Sequence, residues 1–478
     1  MDLSEELKVC LLNDSFPPVI DGVANTVKNY ASVINKNHGK AVVAVPYYPG
    51  ADDSGFEYKV VRYPSLNTEK IINYRAGYPF SFETLEALKS EDINIIHTHC
   101  PFASAFLART LRKVLDAPVI FTYHTKFDVD IKRAVGSRYI REKVIEQLVR
   151  NIESCDEVWV VSEGAGENLK SLGYKGEYVI MQNGVDIPKG RVSEEKIAAA
   201  TDGFDLGKDV PVFLFVGRMV WYKGLDIIID SLAEIKECGD DFRMVFIGGG
   251  LDIEEVKQSA EEKGISEKCI FTGAIRDREV MKAWYCRADL FIFPSVYDTN
   301  GLVVREAAAC GLGSILVEGS CAAEGITDGE TGFLCEKSAK AFSRKLHYLC
   351  KNREEMKKVG ENAMEKIYIS WEDSVKNAAE RYKTVLKNYR EGKYKNKEIT
   401  FEEEWLRTEG EFLDSISRAK KRRKDFQKEI QNYGKEIYKD SIIAAKSFNN
   451  RRIKLKNKAK EKSRKIKGDF LQKIDRYL

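Results

Sequence analysis

A chain of 478 residues is longer than a single hydrophobic core serves, so two domains and an appendage are expected. Its ten cysteines are scattered without a C-x-x-C pair, several of them inside apolar runs, which argues against a disulfide framework or a zinc site and suits reduced thiols in a cytoplasmic protein. The net charge of +3 conceals an asymmetry: residues 411–478 carry about +13 and leave about −10 on the rest, so the two parts are expected to meet different partners.

The chain starts Met-Asp-Leu-Ser-Glu-Glu, without a basic-then-apolar leader, and no apolar run approaches the length of a bilayer, so a soluble body is expected. Residues 7–390 alternate short apolar runs with longer amphipathic segments, the pattern of a layered α/β protein with parallel sheets. A first half offers strand candidates at Lys8–Leu12, Ala41–Val45, Ile93–His97, Val119–Thr122, Val158–Val161 and Tyr178–Met181. The turn-rich polar stretch Ile187–Asp209 reads as a linker. Beyond it come candidates at Val212–Val216, Arg243–Ile247, Ile270–Thr272, Leu290–Phe293 and Ser314–Val317. Doubly wound domains bind ligands beyond the C-terminal ends of their strands, so the loops after these runs define the expected cleft.

In chain order, the first such loop, Ser15 to Lys28, carries Gly22 at a helix start; it reads either as an anion-binding entrance or as a plain connector. Three of the five histidines follow at strand ends: His97 and His99, then His124. A metal held by His97 and His99 lacks an evident third ligand and is not expected. His124 either faces a ligand or satisfies a buried backbone group. Asn183-Gly184 makes a good turn.

The second half opens with Gly217-Arg218 and, five residues after Arg218, Lys223, two cations at a strand end able to stabilise charge developing on a departing diphosphate. Gly248-Gly249-Gly250 permits close approach of a nucleotide or forms a turn. After Phe293 an apolar run ends in Pro294, and Asp298 opens a helix-like segment in which Glu306 lies eight residues on. Between them Thr299, Asn300, Gly301 and Leu302 offer backbone N–H groups at a helix N-terminus, a place suited to phosphate.

The Asp298-x7-Glu306 spacing, with Gly-Arg-x4-Lys-Gly at 217–224, resembles the group 1 glycosyltransferases of GT-B fold that retain anomeric configuration, among them bacterial glycolipid glucosyl- and mannosyltransferases. The resemblance covers about residues 7–390. It implies an α/β protein of two Rossmann-like doubly wound domains facing a cleft: an acceptor domain at 1–195, a donor domain at 205–367, and a segment at 368–392 crossing back to the first domain. A basic helical extension at 400–478 lies outside it.

The resemblance also implies roles. Arg218 and Lys223 would stabilise the leaving diphosphate, Asp298 would hold the donor sugar, and Glu306 would bind the nucleotide's ribose. Ile275 would contact the base through its backbone, His124 would stand beside the transferred sugar, and Gly22, Gly217 and residues 299–302 would line the donor site. Asp298 stands where many members have glutamate, and Asp21-Gly22 where many have Gly-Gly. The donor implied is a nucleotide sugar, UDP-glucose or a close relative, with no catalytic metal and no other cofactor. No side chain announces itself as an obligate nucleophile, and a phosphate oxygen of the leaving group is the expected proton acceptor.

The last segment, Phe401 to Leu478, is poor in glycine and free of proline, with apolar residues at helical spacing and cationic runs at 418–424 and 451–460. Such runs suit an anionic membrane surface or a partner helix better than nucleic acid, because aromatic residues are sparse in the second run. With a lipid or lipid-linked acceptor, this places the protein on the cytosolic face of a membrane. Transfer to a soluble glycan or protein hydroxyl, or a silent GT-B scaffold recruiting partners through its tail, are the competing expectations. Intact Arg218, Lys223 and Glu306 weigh against the scaffold.

Overall fold

The computed structural model describes residues 6–19, 21–69, 74–79, 81–127, 131, 137–207 and 209–394. The basic extension expected at 400–478 lies outside the described residues. Two parallel sheets, both within one compact unit, account for the expected pair of doubly wound domains. The first has seven strands in the order β3-β2-β1-β6-β7-β8-β9: β1 Leu7–Leu12, β2 Gly39–Pro46, β3 Lys59–Tyr63, β6 Ile95–Thr98, β7 Val119–Tyr123, β8 Glu157–Val160 and β9 Val179–Ile180. A short antiparallel pair, β4 Ser65–Leu66 and β5 Ala76–Gly77, stands apart from it. The second sheet has six strands in the order β12-β11-β10-β13-β14-β15: β10 Val212–Val216, β11 Arg243–Ile247, β12 Cys269–Gly273, β13 Leu290–Phe293, β14 Ser314–Val317 and β15 Phe333–Cys335.

The central strands are buried on both faces, which is why they read as unbroken apolar runs. Strand order reverses between β1 and β6 in the first sheet and between β10 and β13 in the second. At such a point adjacent strands send their loops to opposite sides and leave a crevice. β10 and β13 are in direct register, Phe213 opposite Leu290 and Leu214 opposite Phe291. The loops carrying Arg218, Lys223 and Asp298 therefore leave neighbouring strands at one reversal.

The linker expected at Ile187–Asp209 is more structured than its composition suggests. It contains the helix Glu194–Ala200, and Ile187 and Ile197 are buried in the core of the second domain. Much of this stretch thus packs with the second half, because two well-spaced isoleucines find apolar partners there. The crossover is a helix at Trp371–Arg390, capped by Ser370, whose hydroxyl accepts from the Asp373 amide at 3.0 Å. Its buried face, including Val375, Ala379, Tyr382 and Val385, joins Val9, Leu11, Val27 and Ile34 in a core of the first domain. Among the described residues no helix is long and apolar enough to cross a membrane.

Candidate active site

The loop after β10 turns through a short 3-10 segment, Trp221–Lys223, and ends at Gly224 with φ of 79°. A side chain there would meet Pro294, its Cγ 2.8 Å and its carbonyl oxygen 2.9 Å from a Cβ, so only glycine lets this loop lie against the loop after β13. That contact sets Lys223 beside Asp298. The ammonium donates to both carboxylate oxygens, at 2.6 and 2.8 Å, with side chains only 12% and 21% exposed. It also lies 5.8 Å from the ring centre of Tyr222 and 5.7 Å from that of Phe293. Arg218 donates to the Tyr222 hydroxyl at 2.8 Å, and Tyr222 meets Tyr297 edge to face at 5.6 Å. The two cations and the first signature carboxylate are thus gathered around one aromatic pair. The backbone of the 217–219 loop is braced by the triple glycine, with the Met219 amide donating to the Gly249 carbonyl at 3.0 Å.

Gly301 begins the helix Leu302–Ala309 at φ of 57°, and a Cβ there would stand 2.8 Å from the Ala322 backbone. Glu306 projects from that helix with its side chain 12% exposed. One carboxylate oxygen accepts from the Tyr285 hydroxyl at 2.9 Å and the other from Arg278 at 3.3 Å. Burial pushes the Glu306 carboxyl above the usual range, and Asp186 adds to the rise; Arg278 and the Tyr285 hydroxyl oppose it. Asn300 is buried with both ends of its amide unpartnered among the described residues. Ile275 lies in the loop between β12 and the helix Arg278–Arg287, partly buried against the core of the second domain.

On the facing side, the three strand-end histidines are packed together. His97 is bonded through both ring nitrogens, to the Tyr382 hydroxyl at 2.6 Å and the Thr122 hydroxyl at 2.7 Å. His99 Nδ1 meets His124 Nε2 at 2.8 Å with the rings stacked. Burial lowers the pKa of His124 to about 3 and holds those of His97 and His99 well below the ordinary value, so all three are neutral near pH 7. His124 therefore spends one ring nitrogen on His99 and keeps Nδ1 for any other partner. Among the described residues no group of three or more His, Cys, Asp and Glu gathers as a metal site.

At the first loop the helix start supplies its own anion. The Asp21 carboxylate accepts from the amides of Val23 at 2.9 Å and Ala24 at 2.7 Å, capping the helix Gly22–Asn37. An aspartate at the cap is the favoured way to satisfy these donors, so a ligand anion finds them taken. Gly22 itself is exposed, and a Cβ on it would meet nothing within 4 Å.

Contacts across the cleft join the two domains directly. Thr299 donates to the His124 carbonyl at 2.6 Å, Ser162 donates to the Thr299 carbonyl, and Lys126 donates to the Val296 carbonyl at 3.4 Å. The Glu324 carboxylate accepts from the Glu163 and Gly164 amides, each at 2.7 Å, at the start of the helix Glu163–Ser171. The Thr299 hydroxyl is thereby turned to the first domain. Tyr222, Arg278, Tyr285 and Glu324 were not singled out from sequence, since nothing in their local spacing marks them.

A family model described as Glycosyl transferases group 1 matches residues 200–366, and one described as Glycosyltransferase Family 4 matches residues 20–189. The chain belongs to the group 1 glycosyltransferases. Among similar proteins, alpha-monoglucosyldiacylglycerol synthase of Streptococcus pneumoniae is 25% identical over 309 residues, covering 64% of this chain and 70% of the relative. The synthase of the same name from Acholeplasma laidlawii is 21% identical, covering 71% and 88%. A GDP-mannose-dependent phosphatidylinositol monomannoside mannosyltransferase of Mycolicibacterium smegmatis is 26% identical, covering 67% and 83%. Of solved structures, Anabaena HepE in complex with UDP superposes with a TM-score of 0.64 at 16% identity, covering 79% of this chain and 100% of that one. The fold of this glycosyltransferase is GT-B.

Proposed function

We propose that this glycosyltransferase moves a hexose from a nucleoside-diphosphate sugar, UDP-glucose or a close relative, to a hydroxyl of a membrane lipid or lipid-linked saccharide, with retained configuration and without a catalytic metal. The observation that carries this reading is the Lys223–Asp298 pair beside Arg218, at the reversal of strand order in the donor domain. Two cations there oppose the charge that grows on the diphosphate as its bond to the anomeric carbon breaks. Asp298, held by Lys223, takes sugar hydroxyls, and Glu306 takes the ribose. The acceptor oxygen bonds the anomeric carbon on the face the diphosphate leaves, and its proton passes to a phosphate oxygen of the leaving group.

The acceptor class is supported by relatives whose names specify diacylglycerol- and phosphatidylinositol-linked products, and the donor class by neighbours solved with UDP and with UDP-glucose. The basic tail supports work at an anionic surface on the cytosolic side of a membrane. The test is incubation of the full chain with radiolabelled UDP- and GDP-sugars and a total membrane extract. Label in lipid that disappears in Arg218→Ala is the expected result. Donor hydrolysis without lipid product would replace the acceptor by a soluble one, and nucleotide binding without turnover would leave only a scaffold.

A further inference from the structure

Arg278, the first residue of the helix Arg278–Arg287, reaches two carboxylates that belong to different parts of the molecule. One guanidinium nitrogen donates to Glu306 at 3.3 Å and another to Asp186 at 2.9 Å. Asp186 follows β9 at the passage between the domains. It accepts also from Asn25 at 2.6 Å and Asn29 at 2.8 Å on the first-domain helix, and from the Trp371 indole at 2.7 Å on the crossover helix.

A carboxylate has about four acceptor positions. Those of Asp186 are filled by Asn25, Asn29, Trp371 and Arg278, which makes it a structural hub with no capacity left for a ligand. Glu306 uses one position on each oxygen, for Arg278 and Tyr285, and retains about two. The planar fork serves the two carboxylates from two nitrogens in fixed geometry, whereas an ammonium offers its donors from a single centre without that fixed spacing. The side chain of Arg278 is 53% exposed, so its position rests on these two partners and not on packing.

We propose that Arg278 is a positioning residue that presents Glu306 to the nucleotide's ribose and ties the donor domain to the Asp186 hub, so that nucleotide occupancy is coupled to the segment 182–190, which would then act as the hinge between the domains. This rests on the donor-site reading above and deepens it. When ribose hydroxyls engage the open positions of Glu306, they fix its carboxylate and, through the shared guanidinium, the 182–190 segment.

The test uses the full chain and UDP, with hydrogen exchange read separately in the loops 217–224 and 298–306 and in the hinge 182–190, alongside donor KM and kcat. In the unsubstituted protein UDP is expected to protect both loops and hinge. Arg278→Gln is expected to raise donor KM about tenfold, the loss of one charge-assisted hydrogen bond, with kcat within about twofold and hinge protection gone. Arg278→Lys keeps the charge but not the fork, so it should recover part of KM without hinge protection. The carboxyl of Glu306 faces Arg278 and Tyr285 from one helix, Asp186 from the hinge and the Cys310 thiol from its own helix end. Removing the Arg278 cation should therefore move the acidic limb of kcat/KM to higher pH. Loop protection with an unmoved hinge in the unsubstituted protein, or an Arg278→Gln variant with unchanged KM and hinge, overturns this inference alone. No protection by UDP, GDP or ADP anywhere overturns the donor-site reading and this one with it.

Discussion

Lys223 and Asp298 hold each other as an ion pair, and that mutual hold suits the proposed leaving-group site: charges already oriented need no reorganisation when the bond breaks. Lys223→Met should therefore lower kcat about a hundredfold or more, in the range for loss of one preorganised electrostatic group. Steady-state rates at saturating donor check this. The buried histidines make a different prediction, about stability. Their folded-state pKa values lie below the ordinary value near 6.5, so the unfolded chain takes up protons that the folded one does not as pH falls from about 6.5 toward 3. Stability is lost in that direction, by up to about 1.4 kcal/mol per pH unit for each histidine. Asp14 and Glu306, whose folded values are raised, work the other way just above their unfolded range and flatten the slope near its acid end. Urea titrations between pH 7 and 5 should give a shallower slope for His99→Asn than for the unsubstituted chain, even if the variant is less stable at every pH. At this scale the sequence was most readable where chemistry depends on residue type at fixed spacing, as at Arg218, Lys223, Asp298 and Glu306. It was silent on Arg278, because the partners of that residue lie 28 and 92 positions away and only the fold brings them together.

Elements were legible in proportion to how fully they are buried. The candidates at Val212–Val216, Arg243–Ile247, Leu290–Phe293 and Ser314–Val317 coincide with strands, since a strand covered on both faces is an apolar run whose ends are set by the next polar residue. β3 carries Lys59 and Arg62 at the edge of its sheet, β15 has only three residues, and the helix Glu194–Ala200 buries Ile197 alone; none has a period long enough to stand out. Two glycines that look alike in sequence differ in what they do for their helices. Gly301 has a left-handed φ and backbone within 2.8 Å of a would-be Cβ, so Gly301→Ala should cost at least about 1–2 kcal/mol in denaturant unfolding. Gly22 begins a helix in open space, so Gly22→Ala should leave stability unchanged or slightly raised. If a donor occupies that space, the same variant should raise donor KM, and the pair of measurements separates a ligand-facing glycine from a folding one.

Polar contacts along the cleft join the two domains, and their order there matters. Ser162 and the His124 carbonyl hold Thr299, one residue beyond Asp298, while Glu324 from the donor domain caps the helix Glu163–Ser171 of the acceptor domain. The arrangement that sets the Asp298 loop beside His124 is therefore the same one that holds the two domains together. Glu324 is its charged member: its carboxylate sits at the positive end of a helix, where an acidic cap contributes about 0.5–2 kcal/mol. That sum is small enough to be broken and remade during a catalytic cycle, and large enough to bias the closed form by about twofold to thirtyfold. Glu324→Gln keeps the shape and removes the charge, so the expected result is a more open average form, seen as a larger radius of gyration in solution scattering without nucleotide. Donor KM should rise, and saturating UDP should recover most of the compaction, because nucleotide contacts then supply the closure that the cap no longer does. An unchanged radius together with an unchanged KM would mean that closure is carried by the other contacts, those of Thr299, Lys126 and Arg278.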